Sequence, residues 1–216
     1  MKTAVKTIAL ALLLSLLPRV GFTQTQAPHL TLSAEETRQL NTFFSNFSEA
    51  LMEPFTRDNQ DDKNLIDFAI LHNYINNYAR FERGRAEHQV KIKASYIDET
   101  TRRFFGKTIP HPQPDPDRGI EYHEGWYHCT DASGEAYYFS QVASLSDQGK
   151  GLYTATIKVY VAGSGWTGDV HGTEADWKKA DPEDVPQVAE VMQATLRKIT
   201  DQGKSRYILL DYVKMD

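Results

Sequence analysis

Tyr137-Tyr-Phe-Ser-Gln-Val-Ala-Ser-Leu145, then Ser146-Asp-Gln-Gly-Lys-Gly151, then Leu152-Tyr-Thr-Ala-Thr-Ile-Lys-Val-Tyr-Val161 decides the fold. Two apolar-rich arms flank a short glycine-bearing turn, the pattern of a long antiparallel hairpin. In the second arm Tyr153, Ala155, Ile157, Val159 and Val161 share one face. Thr154, Thr156, Lys158 and Tyr160 share the other, as the two-residue period of a strand requires.

The turn has an echo downstream. Ser146-Asp-Gln-Gly-Lys-Gly-Leu-Tyr153 returns as Thr200-Asp-Gln-Gly-Lys-Ser-Arg-Tyr207. Asp-Gln-Gly-Lys suits a type I turn followed by a left-handed glycine, the three-residue hairpin loop. Residues 185–200 fit two patterns. Val185, Val188, Ala189, Met192, Leu196 and Ile199 make a helical stripe, whereas Met192, Ala194 and Leu196 make one face of a strand. The echo favours the strand, with residues near 189–199 pairing with Arg206–Met215 as a second hairpin.

Upstream, the chain reads as helical over about 33–106. Ser33-Ala-Glu-Glu36 is a capping box. Leu40, Phe43, Phe44, Phe47, Leu51 and Phe55 follow as a stripe that Pro54 ends or kinks. A second helix is expected from Asp61 toward Arg83, with Leu65, Phe68, Ala69, His72, Ile75 and Ala79 on one face and Gly84 as its stop. Gln89–Ala94 alternates like a short strand. A brief helix capped near Ser95 carries Phe104 and Phe105 to Gly106. Prolines at 110, 112, 114 and 116 make residues 109–119 an extended, solvated connector. A β part then fills 120–216.

The expected class is α+β: N-terminal helices packed on one face of a curved antiparallel β-sheet, a meander of hairpins. This element order resembles the NTF2-like and cystatin-like folds, and it is similar to exported bacterial domains of that kind. The likeness lies in element order and hydrophobic pattern, and no signature residue accompanies it. It implies a hollow between helices and sheet that holds a small molecule or a partner.

The N-terminus, Met1-Lys-Thr-Ala-Val-Lys6 and then an apolar run from Ile8 to Leu17 before Pro18, has the order of a secretory signal. Its run is too short to span a bilayer. Cleavage after Ala27 would leave 28–216 as a single domain, exported to the periplasm or secreted, with no integral membrane segment. The 216-residue chain carries a formal charge of −5. Loss of Lys2, Lys6 and Arg19 makes the remainder more acidic, which argues against nucleic acid as a partner. Cys129 is the one cysteine, so no disulfide forms within the chain.

No motif fixes a chemistry. His123-Glu-Gly-Trp-Tyr-His128 has one residue too many for a zinc-protease helix. On a single strand its histidines face opposite ways, so no metal is expected. Gly163-Ser-Gly-Trp-Thr-Gly168 matches a dinucleotide fingerprint in letters only, and the polar residues after Gly168 open no helix; a mobile loop is expected. Asp115-Pro-Asp-Arg-Gly-Ile-Glu121 lacks the acids a calcium loop needs. Cys129 and His128, adjacent on a strand, point apart and do not form a nucleophile–base pair. No cofactor is expected.

The ligand-binding candidates are His72, Tyr74 and Tyr78 on the second helix, with Trp126, Tyr138 and Trp166 among the aromatics of the β part. A polar ring on a core stripe must find a partner or a ligand. The expected function is a non-enzymatic exported domain binding a small apolar or aromatic ligand or an envelope protein. The alternatives are an NTF2-like isomerase or hydrolase with His72 as acid/base, and an assembly protein presenting an aromatic sheet face.

Overall fold

The computed structural model describes residues 28–131, 137–201 and 203–215. The signal-like residues 1–27 and most of the turn expected at 131–134 lie outside them.

Ser33 starts α1 (Ala34–Glu49) as its capping box demands. The Ser33 Oγ accepts from the Glu36 amide at 3.2 Å, and the Glu36 carboxylate accepts from the Ser33 amide at 2.8 Å. One face of α1 carries Leu40, Phe44 and Phe47 into the core. The neighbouring face carries Asn41, Ser45 and Ser48, also buried, at the i, i+4, i+7 spacing of a second stripe. That stripe meets the edge of strand β5 (Tyr137–Gly149). The Asn41 side-chain oxygen accepts from the Val142 amide at 2.8 Å, and the Ser45 hydroxyl accepts from the Ser140 amide at 3.0 Å. The Ser140 hydroxyl donates to Ser48 at 3.0 Å. Backbone groups that a missing strand would have bound are thus satisfied by a helix.

The main sheet runs in the order β5, β6 (Leu152–Ala162), β7 (Gln187–Asp201) and β8 (Lys204–Lys214), all antiparallel neighbours. Residues 187–201 are therefore strand, and the second hairpin forms. The turn of the first hairpin differs from the expected one. Gly149 pairs with Leu152, leaving Lys150 and Gly151 between them at φ 54° and 75°. That is a two-residue, doubly left-handed turn, whose twist suits the strands better than a longer loop. In the second hairpin Asp201 pairs with Lys204, so the link comes two positions earlier in the echoed sequence. The echo pointed to a real hairpin, although the two turns use different residues. Register shifts at Val142/Ser144, Asp147/Gly149 and Thr195/Leu196 bend the sheet.

Its inner face presents Ala155, Ile157, Val159, Met192, Ala194, Leu196, Leu209 and Tyr212 to the helices, within one core. The fold is α+β with helices against one face of a bent antiparallel sheet.

Helix α2 (Asp62–Asn76) is shorter than expected. The chain leaves it at Asn77, makes a 3-10 turn over Tyr78–Arg80 and enters a two-residue strand, β1 (Glu82–Arg83). Ile75 and Ala79 are exposed and Gly84 is no helix stop. Helix α3 (Ala94–Phe105) begins directly after β2 (Gln89–Lys93), so Ser95 lies inside it and caps nothing. Gly106 ends it at φ 73°, where a Cβ would come within 2.8 Å of Ile208 Cδ1 on β8. Leu51 leaves the expected stripe: it lies beyond the end of α1 at φ 49° with its side chain in solvent.

A second sheet, which the sequence pattern does not announce, has the order β1, β2, β4 (Trp126–Thr130), β3 (Glu121–His123). Val90, Ile92, Tyr127 and Cys129 on its inner face join the same core. The proline-rich residues 109–119 are exposed over most of their length, as expected, but are also tied to the fold. Ile109 is buried, Asp115 and Ile120 exchange backbone hydrogen bonds at 2.8 Å, and His111 Nδ1 lies 2.6 Å from the Tyr127 hydroxyl. The expected mobile loop at Gly163–Gly168 is also packed. Residues 163–186 fold back over the outer face of the main sheet, where Trp166 and Trp177 enclose Phe139 and Tyr160. Among the described residues no helix is long and apolar enough to cross a membrane.

If α1 seals the β5 edge through hydrogen bonds, Asn41→Leu strands the Val142 amide. Urea unfolding should show a loss of about 1–3 kcal/mol, while Thr42→Ala on the exposed face of the same helix stays within about 0.5 kcal/mol of the parent.

Candidate functional site

The six residues singled out in the sequence do not converge. His72 is 4% exposed, its ring parallel to Phe68 at 5.8 Å and edge-on to Phe104 at 4.8 Å. Its Nδ1 lies 3.4 Å from the Asn76 side-chain nitrogen. Burial, and secondarily the charges of Arg103 and Arg80, lowers its pKa to about 4, so it is neutral at physiological pH. Tyr74 donates to Asp131, which pushes its hydroxyl up to about 12. With Tyr78 and Phe81 it forms an aromatic knot at the end of α2. Trp126 is half-buried on the outer face of the small sheet, with the Lys91 and Lys93 ammonium groups 4.4 and 5.2 Å from its ring centre. Tyr138 lines a shallow cleft with Leu51, Met52, Pro54 and Tyr212. Trp166 is 9% exposed and stacks on Phe139 at 5.1 Å.

One other expectation from the sequence changes. Glu124 and Gly125 turn the chain between β3 and β4, so His123 and His128 sit on paired strands rather than one strand. They share a face, with ring centres 5.5 Å apart. Glu121 pairs with His128 on that face, yet among the described residues no three donors gather to hold a metal ion. Cys129 lies on the opposite, inner face. Burial pushes its thiol up to about 12, which leaves it an unreactive apolar group.

The interior between helices and sheet, where a hollow was expected, is filled by Phe47, Phe68, Phe104 and Phe105, with ring contacts of 5.1 to 5.9 Å among them. Space opens instead at one end of that interior. Where α1 and the end of α3 face the distal part of the β7–β8 hairpin lies a cleft of about 390 Å³. That falls at the lower end of the ~300–1,000 Å³ usual for small-molecule sites. Leu32, Leu40, Phe43 and Phe104 form its apolar floor, and Tyr207 closes one side.

Strand alternation builds the far wall. Met192, Ala194 and Leu196 face the core, and the next residue of that face, Lys198, reaches past its end. Lys198 pairs across the strands with Tyr207, its ammonium 5.9 Å from the ring centre. Arg103 arrives beside Phe104 in the last turn of α3. The guanidinium of Arg206 donates to the Arg103 carbonyl and, at 3.2 Å, to Asp201. Glu36 is the acid in the lining. Its hydrogen bonds to Ser33 hold it below the ordinary carboxylate range, so it stays ionised.

A cleft of about 580 Å³ beside Trp166 and Trp177 is lined by Asp169, Asp176, Asp181 and Asp184. The one near Tyr138, about 340 Å³, is mainly apolar. Of these three, the α1/α3/β7–β8 cleft is the one that combines an apolar floor with converging cations and amides.

No family model, curated protein or solved structure matches this chain. Its site therefore rests on geometry alone.

None of the cleft residues was among the sequence candidates. The available signal was Lys198 in register with an apolar stripe, and Arg103 against Phe104. A charge at the end of a stripe reads on paper as the point where the strand meets water.

His72 carries a pH signature. Its folded pKa lies below the ordinary 6.5, so as pH falls the unfolded chain takes up the proton first. The His72 contribution is complete above about pH 6.5 and lost on going down to about pH 4. Unfolding between those values should take up about one proton more in the parent than in His72→Phe, measured as the difference in the pH slope of stability. Cys129 should stay unmodified by a thiol-reactive disulfide reagent at pH 8 in the native protein and react fully in urea.

Proposed function

We propose that this protein is an exported, non-enzymatic binding domain whose ligand occupies the cleft between α1, the end of α3 and the β7–β8 hairpin. The carrying observation is that cleft: an apolar floor of Leu40, Phe43 and Phe104 beneath amides, hydroxyls and cations from three separate elements. Apolar area supplies most of the affinity at such a site, and convergent polar groups fix the ligand's orientation.

The export part of this reading is supported by the basic and then apolar order of residues 2–17. The binding reading gains support from His72, which is neutral, stacked on Phe68, edge-on to Phe104 and hydrogen-bonded to an amide, as a packed histidine is. A general base needs access to the proton it removes, and this ring faces the core. A role as a strand-presenting assembly protein is disfavoured at β5, because α1 already occupies the edge a partner strand would use.

The uncharged dye N-phenyl-1-naphthylamine should bind saturably, with enhanced and blue-shifted emission. Thr42 is an exposed lining residue of α1. Thr42→Trp should fill the cleft and weaken dye binding at least tenfold, about 1.4 kcal/mol. Leu51→Ser, at the cleft near Tyr138, should change nothing. The reverse pattern refutes the assignment.

A further inference from the structure

The chain as a whole is acidic, with a formal charge of −5, yet three cations meet at this cleft. Arg103 comes from α3, Lys198 from β7 and Arg206 from β8, and the acid facing them is Glu36. Among the described residues neither Arg103 nor Lys198 lies within ion-pair distance of a carboxylate. Some surface cations elsewhere on the same molecule pair with acids, such as Arg57 with Asp211, Lys107 with Asp62 and Lys214 with Glu190, so what sets these apart is their convergence on one apolar cleft. Arg206 does have an acid, Asp201, but that contact orients it. Its guanidinium is tied to the Arg103 carbonyl on one side and to Asp201 on the other. Arginine carries more N–H donors than those two bonds use. The cations therefore include one held in place and two with no acid in ion-pair distance, Glu36 being close enough to feel the Lys198 charge, all lining a space floored by phenyl and leucyl groups.

We infer that the occupant of the cleft is a small amphipathic anion, its apolar body on Leu40, Phe43 and Phe104 and its oxyanion head among Arg103, Lys198 and Arg206. The inference rests on the reading of this cleft as the ligand site. Three points carry it. Charge complementarity is local and opposed to the sign of the whole chain, so it does not follow from composition. Arginine presents fixed donors suited to a carboxylate, sulfate or phosphate oxygen, and lysine adds a mobile point charge. The apolar floor directly beneath excludes water from one side of the head group, which strengthens each of those contacts. Glu36 adds a selection. Its fixed negative charge in the same lining disfavours a second anionic group on the ligand, so a singly charged head fits better than a doubly charged one. The head group belongs to a free amphiphile rather than a bilayer lipid. The space is compact, and α1, α3 and a β-hairpin bound it on separate sides, where a membrane surface would need a flat approach.

The test compares 1-anilinonaphthalene-8-sulfonate with uncharged N-phenyl-1-naphthylamine, which has the same rings without the sulfonate. Both are titrated into the full chain, with thermal unfolding run in parallel to establish that each variant is folded. The sulfonate should bind roughly tenfold more tightly than its uncharged counterpart at low salt, lose that advantage at high salt, and be displaced by monomeric dodecanoate. Arg103→Gln combined with Lys198→Gln should abolish the advantage and leave the uncharged dye within twofold of its parent affinity. Lys198→Gln alone, at an exposed strand position, gives the same reading at smaller amplitude if the pair destabilises the fold.

Equal affinity for the two dyes, unaffected by the double substitution but blocked by Thr42→Trp, overturns the anionic ligand and leaves the binding cleft standing. Binding of both dyes that survives Thr42→Trp overturns the cleft and the anion together. Capture by phosphatidylglycerol vesicles, with no displacement by dodecanoate, overturns the free amphiphile.

Discussion

The architecture depends on how one helix treats the edge of a sheet. Strand β5 ends the main sheet, and its outward backbone groups need partners. Helix α1 supplies those of Ser140 and Val142 through Ser45 and Asn41, Ser48 on the same stripe binds the Ser140 hydroxyl, and the Leu30 amide takes the Leu145 carbonyl. Each net hydrogen bond contributes only about 1 kcal/mol, but leaving a buried amide unpaired costs more than that. The asymmetry makes the position of α1 specific rather than merely favourable. Once α1 is fixed there, its apolar stripe can face only inward. Phe47 then meets Phe68 of α2 and Phe104 and Phe105 of α3, with Phe44 in the same core.

That ring cluster determines where open space is left. Buried phenyl rings in edge-on and stacked pairs leave no central room, and each contributes roughly 1.5–3 kcal/mol by burial. The space left over lies where the sheet outruns the helices. The β7–β8 hairpin extends beyond the core, and its last inward-facing residues, Lys198 and Tyr207, become a wall. His72 stands one ring away from this cleft: Phe104 touches the imidazole and also lines the cleft. His72, singled out in the sequence, belongs to the packing behind this cleft and not to its lining.

Regular patterning was legible in the chain. The alternation over 152–161, the capping box at Ser33 and the glycine after Phe105 each specify local geometry, and each appears as read. The second sheet was not legible, because β1 and β3 have two and three residues. Such strands have no period to detect, and they exist because β2 and β4 give them an edge. The polar stripe of α1 was passed over for a related reason. Asparagine and serine on a helix read as solvent-facing, and only the register with β5 shows that they are buried. The proline-rich residues looked extended by composition, but His111, Ile109 and Ile120 tie them down. The cleft was hidden because a lysine in strand register looks alike whether it meets water or a wall.

The polar stripe of α1 also orders events during synthesis. Its partners on β5 lie 92 to 101 positions further along the chain. The part that leaves the ribosome first therefore carries amide and hydroxyl groups whose counterparts do not yet exist, and with them a row of phenyl rings. The main sheet has the opposite habit, since each of its strands pairs with the one made just before it and can zip as it emerges. Completion waits on the first strand of that zipper, and until it arrives the phenyl rings of α1 lack the sheet they pack beside.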